Sequence, residues 1–336
     1  MKKLKVGIIG LGVGTKHFNA FNQNNHSNVI SVCDFNLEIL KNFKKQYPNL
    51  KITQKSDDII NDQDIDIVSI ASYDDFHFEH FYKALNNKKH VFIEKPICLT
   101  TKEFKMIVRT QKKFSSQIIS SNMVLRVNPR FNFLRKSFIN NKFKNLYYIQ
   151  SDYLWGRPHK LTDWRSKLNN YSLITGASIH LIDLILWIIN KKPFAVQSFG
   201  NRLGASSKMI KSNTFSSVHL FFKDGLIINI NAHGTISHPH FHSIKFFSDT
   251  FNFVHQFKSP YISREKDGQF IIDPIKQPYP YKSNRHLIID EFIKKILNKK
   301  NKDFYVDFKS IKDSMSIAMA ALESEQKQKK IMVKYL

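Results

Sequence analysis

KVGIIGLGVGTKHF, Lys5 to Phe18, decides the fold. Val6 to Ile9 is a short apolar run of strand length. Gly10 and Gly12 follow at once, and a helical pattern begins just beyond. Glycines at such a turn let the backbone bend tightly and approach an anion, while the helix start offers free N–H groups. Gly10, Gly12, Val13 and Gly14 are therefore candidate cofactor contacts. The third position of the dinucleotide fingerprint, which serves close helix–strand packing, falls on Thr15, with Gly14 beside it.

Working outward, strand and helix patterns alternate to about residue 122. After the first pair come VISVCD, NLEILKNFKKQY, IDIVSIAS (Ile65–Ser72), HFEHFYKALNN, HVFIE, TKEFKMIVRTQKKF and SQIISSN. IDIVSIAS is almost continuously apolar, as a parallel strand buried on both faces must be. Thr100 or Thr101 with Glu103 reads as a helix-capping box. This alternation predicts a doubly wound α/β sheet over residues 1–122. Asp34 ends the second strand about twenty residues after the glycines, where a carboxylate binds ribose hydroxyls and repels a 2′-phosphate, favouring NAD over NADP.

Residues 123–336 follow a different pattern: a helix from Pro129, a long strand through LYYIQSDYLW, a helix through SIHLIDLILWII, then several strands and two final helices. SSVHLFFKDGLIINI reads as a hairpin turning on Asp224-Gly225. The expectation is a second, α+β domain with a large, mostly antiparallel sheet.

The chain has 336 residues, enough for two domains, and carries 52 Lys plus Arg against 27 Asp plus Glu. Only nine of the 52 are arginine, the usual reader of base edges, and the lysines are scattered. The charge thus reads as a compositional bias that steers an acidic small substrate, with no nucleic-acid partner expected. Cys33 and Cys98 form no disulfide framework, which suits the cytoplasm. LIDLILWII (Leu181–Ile189) is too short to span a membrane. The basic-then-apolar start lacks a small-residue cleavage site and reads as mature structure.

One strand end stands out. HVFIEKPICLT (His90–Thr100) closes on Glu94, Lys95 and Pro96, and ligands sit at strand ends of such sheets. Together with GLGVG and VCD, this motif resembles the Gfo/Idh/MocA oxidoreductases, the glucose–fructose oxidoreductase and inositol dehydrogenase group. His77, VLRVNPRF (Val124–Phe131) and GASIHLIDLILWI (Gly176–Ile188) extend the resemblance over essentially the whole chain. It implies a Rossmann domain, an open sheet that forms homodimers or homotetramers, and hydride transfer between nicotinamide and a carbinol carbon of a sugar, cyclitol or nucleotide-sugar. It implies that Lys95 contacts the reacting hydroxyl, that Pro96 turns the chain, often in cis, and that Glu94, Ser72 and His77 line the cofactor side. His180 would approach the substrate. Two departures bear on mechanism: many relatives have Asp where this chain has Gly176, and Ser72-Tyr73-Asp74 stands where Thr-Pro-Asn is usual.

Oxidising an alcohol needs a base whose pKa lies near working pH. Lys95 is the first candidate and His180 the second. Asp183 binds substrate or fixes its helix. Tyr153, Arg157, Trp164 and Arg165 offer aromatic faces and forked cations for a sugar or an anionic sugar. Asn122 and Arg126, near the domain boundary, complete the substrate candidates. His233, His238, His240 and His242 alternate as metal ligands can, yet no cysteine or carboxylate joins them, and no metal is expected. The alternatives are a sensor or scaffold that has lost chemistry, and a glycosidase that recycles NAD.

Overall fold

The computed structural model describes residues 3–203, 210–300 and 305–336. The chain forms two compact units, Met1–Val127 with Lys282–Ile311, and Asn128–Tyr281 with Lys312–Leu336.

The first unit alternates strand and helix: β1 (Leu4–Ile9), α1 (Gly14–Gln23), β2 (Ser27–Cys33), α2 (Leu37–Gln46), β3 (Lys51–Thr53), α3 (Ser56–Ile60), β4 (Ile67–Ile70), α4 (His77–Asn86), β5 (His90–Ile93), α5 (Thr101–Lys113) and β6 (Ile119–Ser121). All six strands are parallel, in the order β3-β2-β1-β4-β5-β6. Winding runs one way from β1 and the other way from β4. The crevice at the carboxyl ends of those two strands is where such sheets bind ligands. β4 is wholly buried, and Val91, Phe92 and Ile93 of β5 have no exposed surface. Ser69, the one polar residue of β4, lies with its Oγ 3.0 Å from His17 Nδ1 of α1. The capping box before α5 is complete: Thr100 Oγ1 accepts from Glu103 N, and Thr100 N donates to Glu103 Oε2. A cap of this kind is worth about 1 kcal/mol.

The second unit opens with α6 (Pro129–Ile139), where Asn128 caps by accepting from Arg130 N and proline takes the first turn. It continues through β7 (Tyr148–Leu154), α7 (His159–Thr162), α8 (Ile179–Ile189), β8 (Ala195–Asn201), β9 (Phe215–Phe221), β10 (Ile227–His233), β11 (Phe241–Phe247), β12 (Phe251–His255), β13 (Tyr261–Lys266) and β14 (Gln269–Pro274). Then come α9 (Leu287–Ile296), α10 (Phe308–Lys327) and β15 (Ile331–Met332). The nine-stranded sheet is ordered β14-β13-β12-β11-β7-β10-β9-β8-β15. Only the β7–β10 pair is parallel. β9 and β10 form the hairpin expected from Asp224-Gly225, with Gly225 at φ +88°. β13 and β14 turn on Asp267 and Gly268, at φ 53° and 76°, the double positive φ that a two-residue hairpin loop requires.

α8 is buried almost all round and packs on α6 and β7. α10 lies against β8, where Ser198 N donates to Ser324 Oγ at 2.9 Å. α9 belongs to the first unit. Its Phe292 ring lies 5.7 Å from Phe92 of β5, and Asn24 Nδ2 donates to Asp290 Oδ1 at 2.6 Å. The chain therefore crosses between units again at about 281 and 311, beyond the single change of pattern legible near residue 122. Among the described residues no helix is long and apolar enough to cross a membrane.

Candidate active site

The turn after β1 is built for a close approach. Gly10 has φ +89°, and a Cβ there would lie 2.4 Å from Ala71 O at the end of β4. At Gly12 a Cβ would meet nothing within 4 Å, so the backbone borders open space in front of α1. At Gly14, the first residue of α1, a Cβ would crowd Ile8 Cγ2 at 3.2 Å and Ala71 Cβ at 3.3 Å. The close helix–strand packing of the fingerprint thus falls to Gly14, one residue earlier than its spacing suggests. Thr15 Oγ1 instead donates back to Leu11 O at 2.5 Å. Val13 is largely exposed beside the turn. No side chain caps α1 and no acidic residue sits in its first turn. Its N–H groups and the positive end of its dipole face the open space, an anion seat.

Asp34 closes the other side. Its Oδ2 accepts from Leu11 N at 2.7 Å and its Oδ1 from Asn36 N at 2.9 Å. Each carboxylate oxygen keeps a further lone pair for a hydroxyl. Just beyond, the exposed rings of Phe35 and Tyr73 stand 5.5 Å apart at the ends of β2 and β4. A bare cradle, an uncapped helix start and a fixed carboxylate fit the pyrophosphate and ribose of a dinucleotide.

The end of β5 is held from both sides of Lys95. On one side, Glu94 Oε1 accepts from Asn122 Nδ2 at 2.6 Å and lies 3.2 Å from His17 Nε2 of α1. Burial pushes the Glu94 carboxyl up, but the bonds and charges of His17, Asn122 and Lys95 outweigh it and hold the group down at about 2. On the other side, the Lys95–Pro96 peptide is cis. His77, with no exposed surface, lies between Pro96 O (Nδ1, 2.6 Å) and Ser72 O (Nε2, 3.0 Å). Ser72 Oγ lies 3.0 Å from His80 Nδ1. His77 therefore clasps two loops rather than lying open to a ligand. Arg126 is also buried, and its Nη1 donates to Tyr305 O at 3.2 Å.

In the second unit, Tyr153 of β7 sits directly across from His242 of β11. Its ring is 4.8 Å from His242, 5.3 Å from His240 and 5.8 Å from His180 of α8, the last nearly parallel at 9°. His242 Nδ1 pairs with the Tyr279 hydroxyl. His240 Nδ1 lies 2.7 Å from Trp155 O. Burial, and then the charges of Arg157 and Lys160, push His240 down to about 4, against the pull of its backbone bonds. Arg157 and Lys160 thus bring positive charge to the Tyr153 cluster. Arg165 stacks on Trp164 with 4.1 Å from guanidinium carbon to ring centroid. Asp183 is buried at 1% exposure and accepts from Ser314 Oγ of α10 at 3.4 Å, which ties two helices together. No group of three or more His, Cys, Asp or Glu among the described residues could hold a metal.

The structure therefore gathers Gly10, Gly12, Val13, Gly14, Asp34, Ser72, Glu94, Lys95, Pro96 and Asn122 along the carboxyl edge of the first sheet. Tyr153 and His180 meet in the second unit. Reading the sequence met Tyr73 only as part of the Ser72-Tyr73-Asp74 departure and did not find His17, Phe35 or Tyr279. Phe35 and Tyr73 had a signal, since they lie two and three residues beyond the ends of β2 and β4. His240 and His242 were legible as a pair sharing one face, but not as neighbours of Tyr153.

Residues 4–121 match the model of an oxidoreductase family with an NAD-binding Rossmann fold, Gfo/Idh/MocA. A glucose-6-phosphate 3-dehydrogenase of Bacillus subtilis is 24% identical over 287 residues, 81% of this chain and 80% of that protein. The structure of a myo-inositol 2-dehydrogenase from Lactobacillus plantarum superposes with a TM-score of 0.83 at 20% identity, covering 99% of this chain and 100% of that one. The WlbA dehydrogenase of Bordetella pertussis, in complex with NADH and UDP-GlcNAcA, superposes with a TM-score of 0.81 at 17% identity over the full length of both.

Proposed function

We propose that the chain, whose residues 4–121 match the NAD-binding domain of the Gfo/Idh/MocA oxidoreductases, is an oxidoreductase that oxidises or reduces one carbinol carbon of an anionic sugar or cyclitol. The observation that carries this reading is the end of β5: a lysine whose neighbours on both sides are tied down, on the sheet edge that also bears the glycine turn and Asp34.

NAD, when bound, supplies the hydride acceptor. Gly12 and the start of α1 would hold its pyrophosphate and Asp34 its ribose, and Phe35 with Tyr73 would offer faces to its base. The Asp34 carboxylate would meet a 2′-phosphate with like charge, which favours NAD over NADP. Lys95, as the neutral amine, would take the proton of the reacting hydroxyl as the carbinol is oxidised. Glu94, ionised throughout the working range, balances the positive charge around Lys95. His180 is the second proton carrier. Tyr153 presents an apolar ring to a sugar face, and Arg157 and Lys160 supply the charge that selects an anionic group. The reading gains support from the Bacillus subtilis relative, a glucose-6-phosphate 3-dehydrogenase. The exposed apolar side chains Phe199, Ile227, Phe270 and Ile272 of the nine-stranded sheet suit self-association as a homodimer or homotetramer.

The test is the NAD-loaded protein against free sugars, inositols, sugar phosphates, sugar acids and nucleotide-sugars, following reduced-nicotinamide fluorescence, with Lys95→Ala alongside. Turnover of an anionic member, lost in Lys95→Ala while NAD still binds, is the expected result. Silence across the panel with NAD bound counts for a sensor; turnover confined to neutral sugars removes the role given to Arg157 and Lys160.

A further inference from the structure

We propose that His240 is a specificity-determining residue, which accepts through Nε2 a hydrogen bond from a hydroxyl that the substrate carries beside its anionic group. The inference rests on the proposed function and adds to it which part of the substrate meets which side chain.

The observation is a forced tautomer. His240 Nδ1 lies 2.7 Å from Trp155 O. A carbonyl only accepts, so Nδ1 carries the proton and donates. In a neutral imidazole the other nitrogen is then a lone pair. Burial, and then the positive charge of Arg157, keep the ring from taking a second proton at neutral pH, although the carbonyls of Trp155 and Leu154 pull the other way. Among the described residues no hydrogen bond is made to Nε2, and the side chain is only half-buried. The structure thus presents a fixed, neutral acceptor.

The backbone enforces this arrangement. His240 stands just before β11, and Trp155 and Gly156 just after β7, the strand beside it. Gly156 has φ +53°, and a Cβ there would lie 2.3 Å from His240 N, 2.4 Å from His238 O and 2.6 Å from Pro239 C. These are main-chain atoms, which no rotamer can move aside. The two segments therefore touch backbone to backbone, as only glycine permits. That approach sets Trp155 O against Nδ1. Ring packing then sets the plane: Tyr153 meets His240 at 5.3 Å and 67°, and His242 meets it at 4.9 Å and 83°.

The surroundings decide what the lone pair reads. A carboxylate or phosphate oxygen would set lone pair against lone pair, so an anionic oxygen is turned away from Nε2, whereas a hydroxyl is bound. The anion has its own place. Arg157 directly follows Gly156, has no acidic partner among the described residues, and its buried Nε meets no hydrogen-bond acceptor. A guanidinium in that state suits the forked contact of a carboxylate or phosphate. The two side chains therefore divide one substrate, with charge at Arg157 and hydroxyl at His240. His180 stacks on the same Tyr153 ring at 5.8 Å, so the hydroxyl read by His240 belongs to the sugar or cyclitol being oxidised. The substrate class is an acidic or phosphorylated sugar or cyclitol with a free hydroxyl next to the charge.

The test has two arms. In the first, the imidazole ¹⁵N pair of His240 is read at pH 7 and assigned by its absence in His240→Phe, or in His240→Gln where the Phe variant does not fold. It should be that of the neutral Nδ1–H tautomer. Adding the sugar panel to the NAD-loaded protein, one member at a time, should move Nε2 upfield with an anionic member that carries hydroxyls. An Nε2–H tautomer, a doubly protonated ring, or an Nε2 resonance that no member moves overturns the proposal. In the second arm, mono-deoxy analogues of the substrate found above are compared. The one lacking the hydroxyl beside the anionic group should lose about five- to a hundredfold in kcat/KM with the parent, as when one buried partner of a hydrogen bond is removed. In His240→Phe that loss should shrink to within about twofold, because the two changes delete the same bond, and His240→Gln, whose side-chain oxygen still accepts, should restore part of it. Equal losses in the parent and His240→Phe, in a protein whose turnover depends on Lys95, overturn the inference and leave the proposed function standing. Silence of the whole panel in turnover counts against the proposed function, and the Nε2 titration then still decides for His240.

Discussion

Gly10 and Gly12 are two residues apart and should fail in opposite ways. At Gly10, φ is +89° and a Cβ would meet the Ala71 backbone oxygen at 2.4 Å. Gly10→Ala must pay about 1–2 kcal/mol for the left-handed backbone, and the contact with a main-chain atom cannot be relieved by a rotamer. The free protein should lose at least about 2 kcal/mol. At Gly12 a Cβ meets no protein atom, so Gly12→Ala should leave the free protein within about 0.5 kcal/mol of the parent. Yet the methyl fills the space where the pyrophosphate must come within hydrogen-bond distance of the backbone. Charge-assisted bonds are worth about 1.5–3 kcal/mol each, so losing one weakens NAD about ten- to a hundredfold. The assay is thermal unfolding with and without NAD at one hundred times the parent Kd. There the parent gains about 2.7 kcal/mol, or about 5–10 °C. A variant weakened a hundredfold gains only about 0.4 kcal/mol, about 1 °C. If Gly12→Ala is stabilised by NAD as fully as the parent, the open space before α1 is not the pyrophosphate seat and the nucleotide half of the argument falls.

The other predictions are briefer. Asp34→Ala leaves Leu11 N and Asn36 N without their carboxylate, so it should cost about 1–3 kcal/mol even before NAD is added, read by urea unfolding. The Glu94 carboxyl is held below its ordinary value near 4.5, at about 2. Its contribution, about 3 kcal/mol, is therefore present above pH 4.5 and lost as pH falls towards 2. Acid titration of unfolding stability should be steeper there for the parent than for Glu94→Gln; equal slopes refute the assignment. Phe35→Ala and Tyr73→Ala remove exposed rings, so each should weaken NAD by about 0.5–1.5 kcal/mol in calorimetry while moving Tm little.

The first half of the molecule was legible because a parallel sheet leaves few choices. Strands such as Ile67–Ile70, buried on both faces, must be apolar throughout, and helices between them must show one apolar face. What spacing could not tell was which glycine packs against β1. That depends on how far α1 slides along the strand, and the structure puts Gly14 there. The return of α9 was hidden for a related reason. Leu287–Ile296 is plainly amphipathic, but an apolar stripe does not say which sheet it will cover, and Phe92 lies in a distant part of the chain. In the second unit, the Asp267-Gly268 turn was available as a hairpin signal between YISREK and QFIIDP and would have identified β13 and β14. Lys95 could be singled out from its motif alone, whereas the neighbours of His180 could not. Tyr153 and His242 reach it through the register of β7 and β11.

The docking of α9 also sets an order on synthesis. β5, the strand that leads into Lys95, takes part of its cover from Phe292, about 200 residues further along the chain. At about 5–20 residues per second a ribosome needs ~10–40 s to reach it. For that interval Phe92 keeps the rings of His17 and Phe21 but lacks that of Phe292, and Asn24 lacks its acceptor. A nascent chain paused after the first 127 residues should therefore bind a hydrophobic-surface chaperone, and release should come only once residues 282–311 have emerged.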